Sequence, residues 1–390
     1  MSLKDFDHYA SSVVSILKKE APKEAIIIHH DDADGLCSAA ITQRALEREG
    51  IKTKTFCLEK VYAEVIEDVH SKTGQTIFYV DIGSSHADLI SEYNKERNLT
   101  IILDHHDPKI SKDPKVLDLN LENFGFKGET DFSGATCCYL FAKALNKSNY
   151  DLGYLALVGS CEIPEGFKSL NEVVLEESLK AGIVQKKGKN FEIVKLKVNV
   201  DALFSKLQIL GAVGYYEDGP DSGIKACLEG LSPEIEERIN ALEERRKEVN
   251  RKLLGILYRE RLKETEHIQW FDAGNLYAGM GTKVIGQFCS FLSYQARLIK
   301  PNKYILGFVN VPPEIPKWGR LKENFVKASA RVPKPMQQLI DSGKLPGAVN
   351  LLEKASEGFG MADGHQYAAN VVLPADRKMD LIQNAEKVIQ

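Results

Sequence analysis

Three apolar runs in the first third of the chain end on acids or imidazoles. Ile26-Ile27-Ile28-His29-His30 gives way to the polar turn Asp31-Asp32-Ala33-Asp34-Gly35, Ile77-Phe78-Tyr79-Val80 runs into Asp81, and Ile101-Ile102-Leu103 runs into Asp104-His105-His106. Short β-branched runs bounded by turn residues read as strands, so strands are expected at 26–30, 77–80 and 101–103, with another at 51–58. The Ala/Leu-rich stretch 36–50 and the patterns at 60–70 and 85–97 read as helices between them. Strand, helix, strand at this spacing predicts a parallel sheet covered on both faces, an α/β, doubly wound domain. Helical patterns continue over 133–147 and 151–159. The stretch 168–231 has no clear period and contains a basic, alternating run at 186–201.

Ser232-Pro233-Glu234 supplies an N-cap, a proline at the first helical position and an acid in the first turn. Ile235, Ile239, Leu242, Val249, Leu253 and Leu257 then recur at helical spacing amid dense Glu, Arg and Lys. One narrow apolar stripe on a long helix predicts a link between two domains, or else a surface helix of one of them. Past residue 268 come short strands, the Pro312-Pro313 turn and a glycine-rich segment ending at Asn370. The expected organisation is 1–231, a linking helix 232–267, and a smaller α/β domain over 268–390.

The length of 390 residues agrees with two domains. The seven cysteines are odd in number and include no CxxC pair, and no apolar leader precedes them, so a reduced, cytoplasmic setting is expected. No run reaches transmembrane length. A net charge of -4 excludes an overall polybasic protein and leaves a local basic surface open.

The three polar ends share one chemistry. If the first continues its strand, His30, Asp32 and Asp34 alternate and present their side chains on one face. Carboxylate oxygen suits hard divalent ions, and the added imidazoles tilt the choice toward manganese, with magnesium, cobalt or zinc as substitutes. Asp81 stands alone at a strand end and is the candidate to bridge two ions, although a helix cap is an equal reading for it. Two ions about 3.5–4 Å apart suit phosphodiester hydrolysis. His106 could donate to a phosphate oxygen, and backbone N–H groups near Gly35 could meet another. His29, flanked by apolar residues, reads as a packed core histidine, as do His8, His70, His86 and His267.

HHDDADG at 29–35, VDIG at 80–83 and DHH at 104–106 resemble the first three motifs of the DHH phosphoesterases. Lys327-Ala328-Ser329-Ala330-Arg331 and Gly364-His365 resemble the Ser/Arg strand and histidine loop of the associated DHHA1-type substrate-binding domain. The resemblance implies one manganese on His30, Asp32 and Asp81, a second on Asp34, Asp81 and His105, and catalytic roles for Asp104 and His106. It also implies that Ser329, Arg331, Gly364 and His365 bind substrate from the opposite lobe. Within the family the ADG form, the stretch 214–220 and the linking helix are most similar to archaeal RecJ-like proteins.

Two departures stand out. Leu157-Val158-Gly159-Ser160-Cys161-Glu162 lacks the fourth-motif Asp, with Glu162 as its candidate replacement, and Ala362-Asp363 interrupts the glycines before Gly364. The run from Arg297 to Lys334 is rich in Lys and Arg against only Glu314 and Glu323, with Trp318 and Phe325 as candidate base-stacking rings. A solvated basic face over core aromatics is the equal alternative. The function expected is a Mn²⁺-dependent exonuclease on single-stranded DNA or RNA, in replication or repair and with no membrane. The alternatives are a short-oligonucleotide phosphodiesterase, or a Cdc45-like replisome scaffold binding GINS or a helicase.

Overall fold

The computed structural model describes residues 2–163 and 166–390. Packing divides them into two units. Unit 1 comprises 1–211, 218–239 and 316–318, and unit 2 comprises 212–217, 240–315 and 319–390.

Unit 1 is built on five strands: β1 (Glu24–His29), β2 (Lys52–Cys57), β3 (Thr76–Val80), β4 (Leu99–Leu103) and β5 (Val116–Asp118). All pair in parallel, in the order β2-β1-β3-β4-β5. Every residue of β3 and β4 is buried. Burial on both faces is why these strands read as unbroken apolar runs rather than alternating ones. The strand β5 escapes a sequence reading because only three residues pair.

The first crossover helix runs Ala33–Arg48, three residues earlier than the sequence pattern suggests. Asp32 is its N-cap, with the carboxylate accepting from Gly35 N at 2.9 Å. The polar turn after β1 is therefore already the start of the helix, and Asp32 and Asp34 do not alternate along a strand end. The remaining expected helices appear as Ala63–Val69, Ala87–Asn94, Gly134–Leu145 and Gly153–Ser160. The unassigned stretch forms the helix Ser169–Lys180, a small antiparallel sheet and two more helices. The sheet is β6 (Val184–Lys187), β7 (Asn190–Ile193) and β8 (Val198–Asn199), which is what the basic alternating run becomes.

The long helix runs Pro233–Glu260 and buries Ile235, Ile239, Leu242, Leu253 and Leu257. Unit 2 holds a mixed sheet of β9 (Lys263–Glu264), β10 (Ile268–Asp272), β11 (Tyr304–Asn310), β14 (Phe325–Arg331), β15 (Met361–Gly364) and β16 (Ala368–Pro374), ordered β15-β16-β14-β11-β10-β9. The hairpin strands β12 (Glu314–Ile315) and β13 (Gly319–Arg320) fall between β11 and β14 in the chain. Tyr304, Leu306, Phe308, Ala328, Ala330 and Leu381 lie in its core. Among the described residues no helix is long and apolar enough to cross a membrane.

The sheet of unit 1 depends on large side chains in its central strands. Phe78, fully buried in β3, meets Phe141 of the helix Gly134–Leu145 with ring centroids 6.0 Å apart. Replacing Phe78 with alanine should cost about 3–5 kcal/mol, read as a lower midpoint in denaturant unfolding. A midpoint unchanged from wild type would show that this contact does not hold the sheet to the helix.

Candidate metal centre

The strand β1 lies between β2 and β3, so successive crossovers leave it in opposite directions. Open parallel sheets place their sites at such a point, beyond the carboxyl ends of the strands. The polar ends of β1, β3 and β4 meet there. His30, Asp32 and Asp81 form one set of potential ligands and Asp81, His105 and His106 a second; within each, the ligand atoms all lie within 4.8 Å of one another. Asp81 belongs to both.

Acid and imidazole atoms of these sets face one another at short range. His30 Nδ1 lies 2.7 Å from Asp32 Oδ2 and 3.6 Å from Asp81 Oδ2, and His105 Nε2 lies 3.4 Å from Asp81 Oδ1. Yet His30 Nδ1 and Asp81 Oδ1 are buried and make no hydrogen bond, so the short His30–Asp32 approach lacks hydrogen-bond alignment. Buried polar atoms left this way cost free energy unless a further group bonds them. A divalent cation fits that role and this donor set, oxygen and imidazole nitrogen together. His105 is oriented for it, since its Nδ1 sits 2.9 Å from Gly128 O, which leaves Nε2 toward Asp81.

Electrostatics agree with the geometry. Burial holds the Asp81 carboxyl well above the usual range, and the charges of Asp34, Asp32 and Asp104 push it the same way. Burial, then Asp32 and Glu162, raise Asp34 to about 7. Asp81 also adopts a left-handed backbone, φ +57°, and a Cβ on Gly134 would lie 2.3 Å from its Oδ1. A glycine at 134 thus makes room for this carboxylate.

Asp34 is in neither ligand set. Its Oδ1 accepts from Ser133 Oγ at 3.0 Å and Ala135 N at 2.9 Å, and its Oδ2 from Gly134 N at 2.8 Å, with His105 Nε2 at 3.9 Å. It sits on the N-terminus of the helix Gly134–Leu145, where N–H groups favour an anion. His106 occupies the place in the second set that the resemblance gives to Asp34. Glu162 is exposed and in neither set, although its charge is felt by both Asp34 and Asp81. His29 is buried, with Nδ1 2.8 Å from His30 O, and burial lowers its pKa to about 4, as a core histidine requires.

Behind the centre lies a closed ring of hydrogen bonds that the motifs did not reveal. His106 Nδ1 meets Asp104 Oδ1 at 2.7 Å, and Ser84 N donates to Asp104 Oδ2 at 2.9 Å. Ser84 Oγ and Asn120 N both donate to Asp118 Oδ1, at 2.9 and 3.0 Å, and Asn120 Nδ2 returns to His106 O at 2.7 Å. Burial tends to raise the Asp104 pKa, but the charge and hydrogen bond of His106, with His105 and Ser84 N–H, hold it well below the usual range. Asp104 therefore orients His106 as an anion. Asp118 and Asn120 end an apolar run, as Asp81 does, but Val116-Leu117 is too short to announce a strand. Asp31 was also passed over: both its oxygens are buried without a hydrogen bond, with Oδ1 3.2 Å from His30 Nε2.

Unit 2 carries its own polar cluster. Ser329 and Arg331 share a face of β14, and Ser329 pairs in register with Asn370 of β16 and donates its hydroxyl to Asn370 Oδ1. Arg331 Nε donates to Ser290 Oγ at 2.8 Å. A Cβ on Gly286 would lie 2.9 Å from Arg331 Nη2 and 3.0 Å from Ser329 Oγ. Burial lowers the Arg331 pKa, which leaves a guanidinium charged at neutral pH. Gly364, φ +129°, closes β15 against Ala369, and His365 N donates to Ala368 O at 2.8 Å. Ser290, Asn370 and Gly286 are the members that no motif marked. Of the expected stacking rings, Trp318 donates its indole N–H to Asp68 at 3.0 Å, and Phe325 is half-buried on β14.

Two measurements test this geometry. Mn²⁺ should raise the Tm of the wild type, and alanine at Gly134 should displace Asp81 and abolish that rise; an equal rise in the variant would remove Asp81 from the centre. Asp118 is raised to about 7, burial outweighing its hydrogen bonds from Asn120 and Ser84. A raised acid pKa favours folding below the unfolded value of about 4, and that contribution is lost as pH rises through about 7. Asp118→Asn should therefore match wild type near about pH 4–5 and exceed its Tm by at least about 2 °C near about pH 8. Equal destabilisation at both would contradict it.

Residues 24–159 match the model of the DHH family, N-terminal domain. No curated protein matches. Among solved structures, the chain is similar to RecJ in complex with Mn²⁺ from Thermus thermophilus, with a TM-score of 0.67 and 17% identity over 97% of this chain and 54% of that one. The present chain thus spans about half the length of that RecJ. An exonuclease RecJ bound to manganese superposes with a TM-score of 0.65 and 16% identity, over 97% of this chain and 93% of that one. Cdc45 from Entamoeba histolytica gives 0.52 at 10% identity, over 100% and 99%. These matches show a DHH-type N-terminal domain over residues 24–159 and, across the chain, a fold similar to those of RecJ and Cdc45, with a candidate metal-binding cluster at the ends of β1, β3 and β4.

Proposed function

We propose that the chain is a metal-dependent exonuclease, manganese first, that hydrolyses phosphodiester bonds of single-stranded DNA or RNA from a strand end. The observation that carries this reading is the sharing of Asp81 between two ligand sets. His30 and Asp32 would hold one ion with Asp81, and His105 the other, with His106 either completing it or turned to a phosphate oxygen. Two ions held there would supply an activated water and stabilise charge on the leaving oxygen. The chain's residues do the rest. The carbonyl of Gly128 fixes the His105 ring, and the anionic Asp104 fixes His106 so that its Nε2 side is the one offered to the centre. N–H groups at the start of the helix Ala33–Arg48 add a positive field. Ser329, Arg331, Gly364 and His365 would bind the strand, with Arg331 the permanent cation.

A second reading rests on Glu162, which stands in place of the fourth-motif Asp, is exposed, and joins neither ligand set. A centre lacking that ligand would suit a replisome scaffold, of Cdc45-like outline, that binds GINS or a helicase.

Both readings meet in one assay: Mn²⁺-dependent cleavage of end-labelled single-stranded DNA and RNA, resolved nucleotide by nucleotide. Wild type should give a ladder, Asp81→Ala should lose it by at least about 10³-fold, and Glu162→Ala should report whether that acid assists. A wild type inert with Mn²⁺, Mg²⁺ and Co²⁺ transfers the weight to the scaffold.

A further inference from the structure

The most exposed large aromatic side chain among the described residues of unit 2 is Tyr294, at 83%, and Phe291, three residues before it, is 45% exposed. They come one and four residues after Ser290, whose hydroxyl accepts from Arg331 Nε. Tyr294 lines a groove with Ile299, Pro301, Pro333, Lys334 and Pro335. Its lining residues fall within 293–301 and 332–337, stretches that contain Arg297, Lys300 and Lys334 and no Asp or Glu, with Lys334 in the lining itself. Lys300 and Lys303 are paired with Glu264 of β9, at 2.6 and 3.0 Å.

A lone exposed tyrosine carries little meaning. An exposed ring set among rigid prolines, in an acid-free groove that begins one helical turn from a buried arginine, is a different case. Acidic side chains are what a protein partner of opposite charge would supply in discrete pairs. A polyanion with flat, apolar bases instead matches cations and an open ring together, since bases stack on aromatic faces while phosphates follow the positive charge. A cofactor-sized ligand would need a closed pocket rather than an open ledge.

We propose that this groove is the path of a single strand extending from Arg331, with a base stacked on Tyr294 and neighbouring phosphates against Lys334 and Arg297. The inference rests on the exonuclease reading and sharpens it: the preferred substrate is a strand long enough to reach Tyr294, not a dinucleotide.

The test is fluorescence anisotropy of the full chain, in EDTA, with a labelled trinucleotide and a labelled dodecanucleotide, each tagged at either end. Tyr294→Ala should weaken dodecanucleotide binding about tenfold and leave the trinucleotide unchanged. Tyr294→Phe, which keeps the ring, should bind as wild type, and Lys334→Ala should reduce the salt dependence by about one counterion. Tyr294→Ala binding the dodecanucleotide as tightly as wild type overturns the path and leaves the patch to another partner. Should wild type cleave strands yet bind both lengths equally, the path alone fails; should it bind neither and cleave nothing, the exonuclease reading fails with it.

Discussion

Everything at the carboxyl edge of the parallel sheet follows from one constraint: the Asp81 carboxylate is fully buried where β3 ends, with other acids around it. Burial of an unpaired charge is among the costliest arrangements a fold can hold. The chain accommodates it by geometry that would be wasteful otherwise, with a left-handed backbone at Asp81 and a glycine at 134 to clear its oxygen. The charge is left without a protein cation. No Lys or Arg is paired with Asp81, Asp34 or Asp104 among the described ion pairs; the partners at Asp81 are His30 and His105. Acids kept there without the usual counter-charge make the place a candidate cation site.

The acids around Asp81 divide into two groups by what bonds them. Asp34 and Asp104 are saturated by donors, the first by the start of a helix and Ser133, the second by His106, Ser84 and His105 N–H. Saturation fixes their position and makes them scaffolding for their neighbours. Asp81 and His30 keep unsatisfied buried atoms and face the centre. The candidate sets differ accordingly: Asp34 carries three donors on its carboxylate, whereas His106 is held by a ring that grips both its imidazole and its carbonyl.

Much of this was legible in the chain. Apolar runs that end in acid are a strong signal when β-branched residues mark the strand, and β1, β3 and β4 were found that way with the acids and imidazoles at their ends. The helix start after β1 was misread by three residues because Asp32 caps the helix, a local bond that outweighs the strand-like alternation of His30, Asp32 and Asp34. Ser84, Asp118 and Asn120 were invisible for another reason: they come from a turn and a three-residue strand, and their meaning lies in bonds to Asp104, Asp118 and His106 that cross 14 to 34 positions of sequence, which no local pattern records. In unit 2, Arg331 could be picked out from its motif, while Ser290 and Asn370 join it only through the register of β14 with β16 and the packing of Gly286.

The distribution of charge carries the argument one step further. Net charge is only -4, yet unit 1 concentrates acids where a phosphodiester would have to arrive. Without cations the centre would repel a nucleic acid, and Glu162, exposed beside it, would deepen that repulsion. Under the proposed function, binding energy for a strand would have to come from elsewhere, and the groove of unit 2 lined by Tyr294 and Lys334 would supply it. Such a separation of tasks would let the centre stay acidic enough to hold divalent ions while the strand was held by residues whose charge does not depend on metal. On this view the length of strand preferred is set by unit 2 and the ion preferred by unit 1, so substitutions in one should change its own property and leave the other's intact.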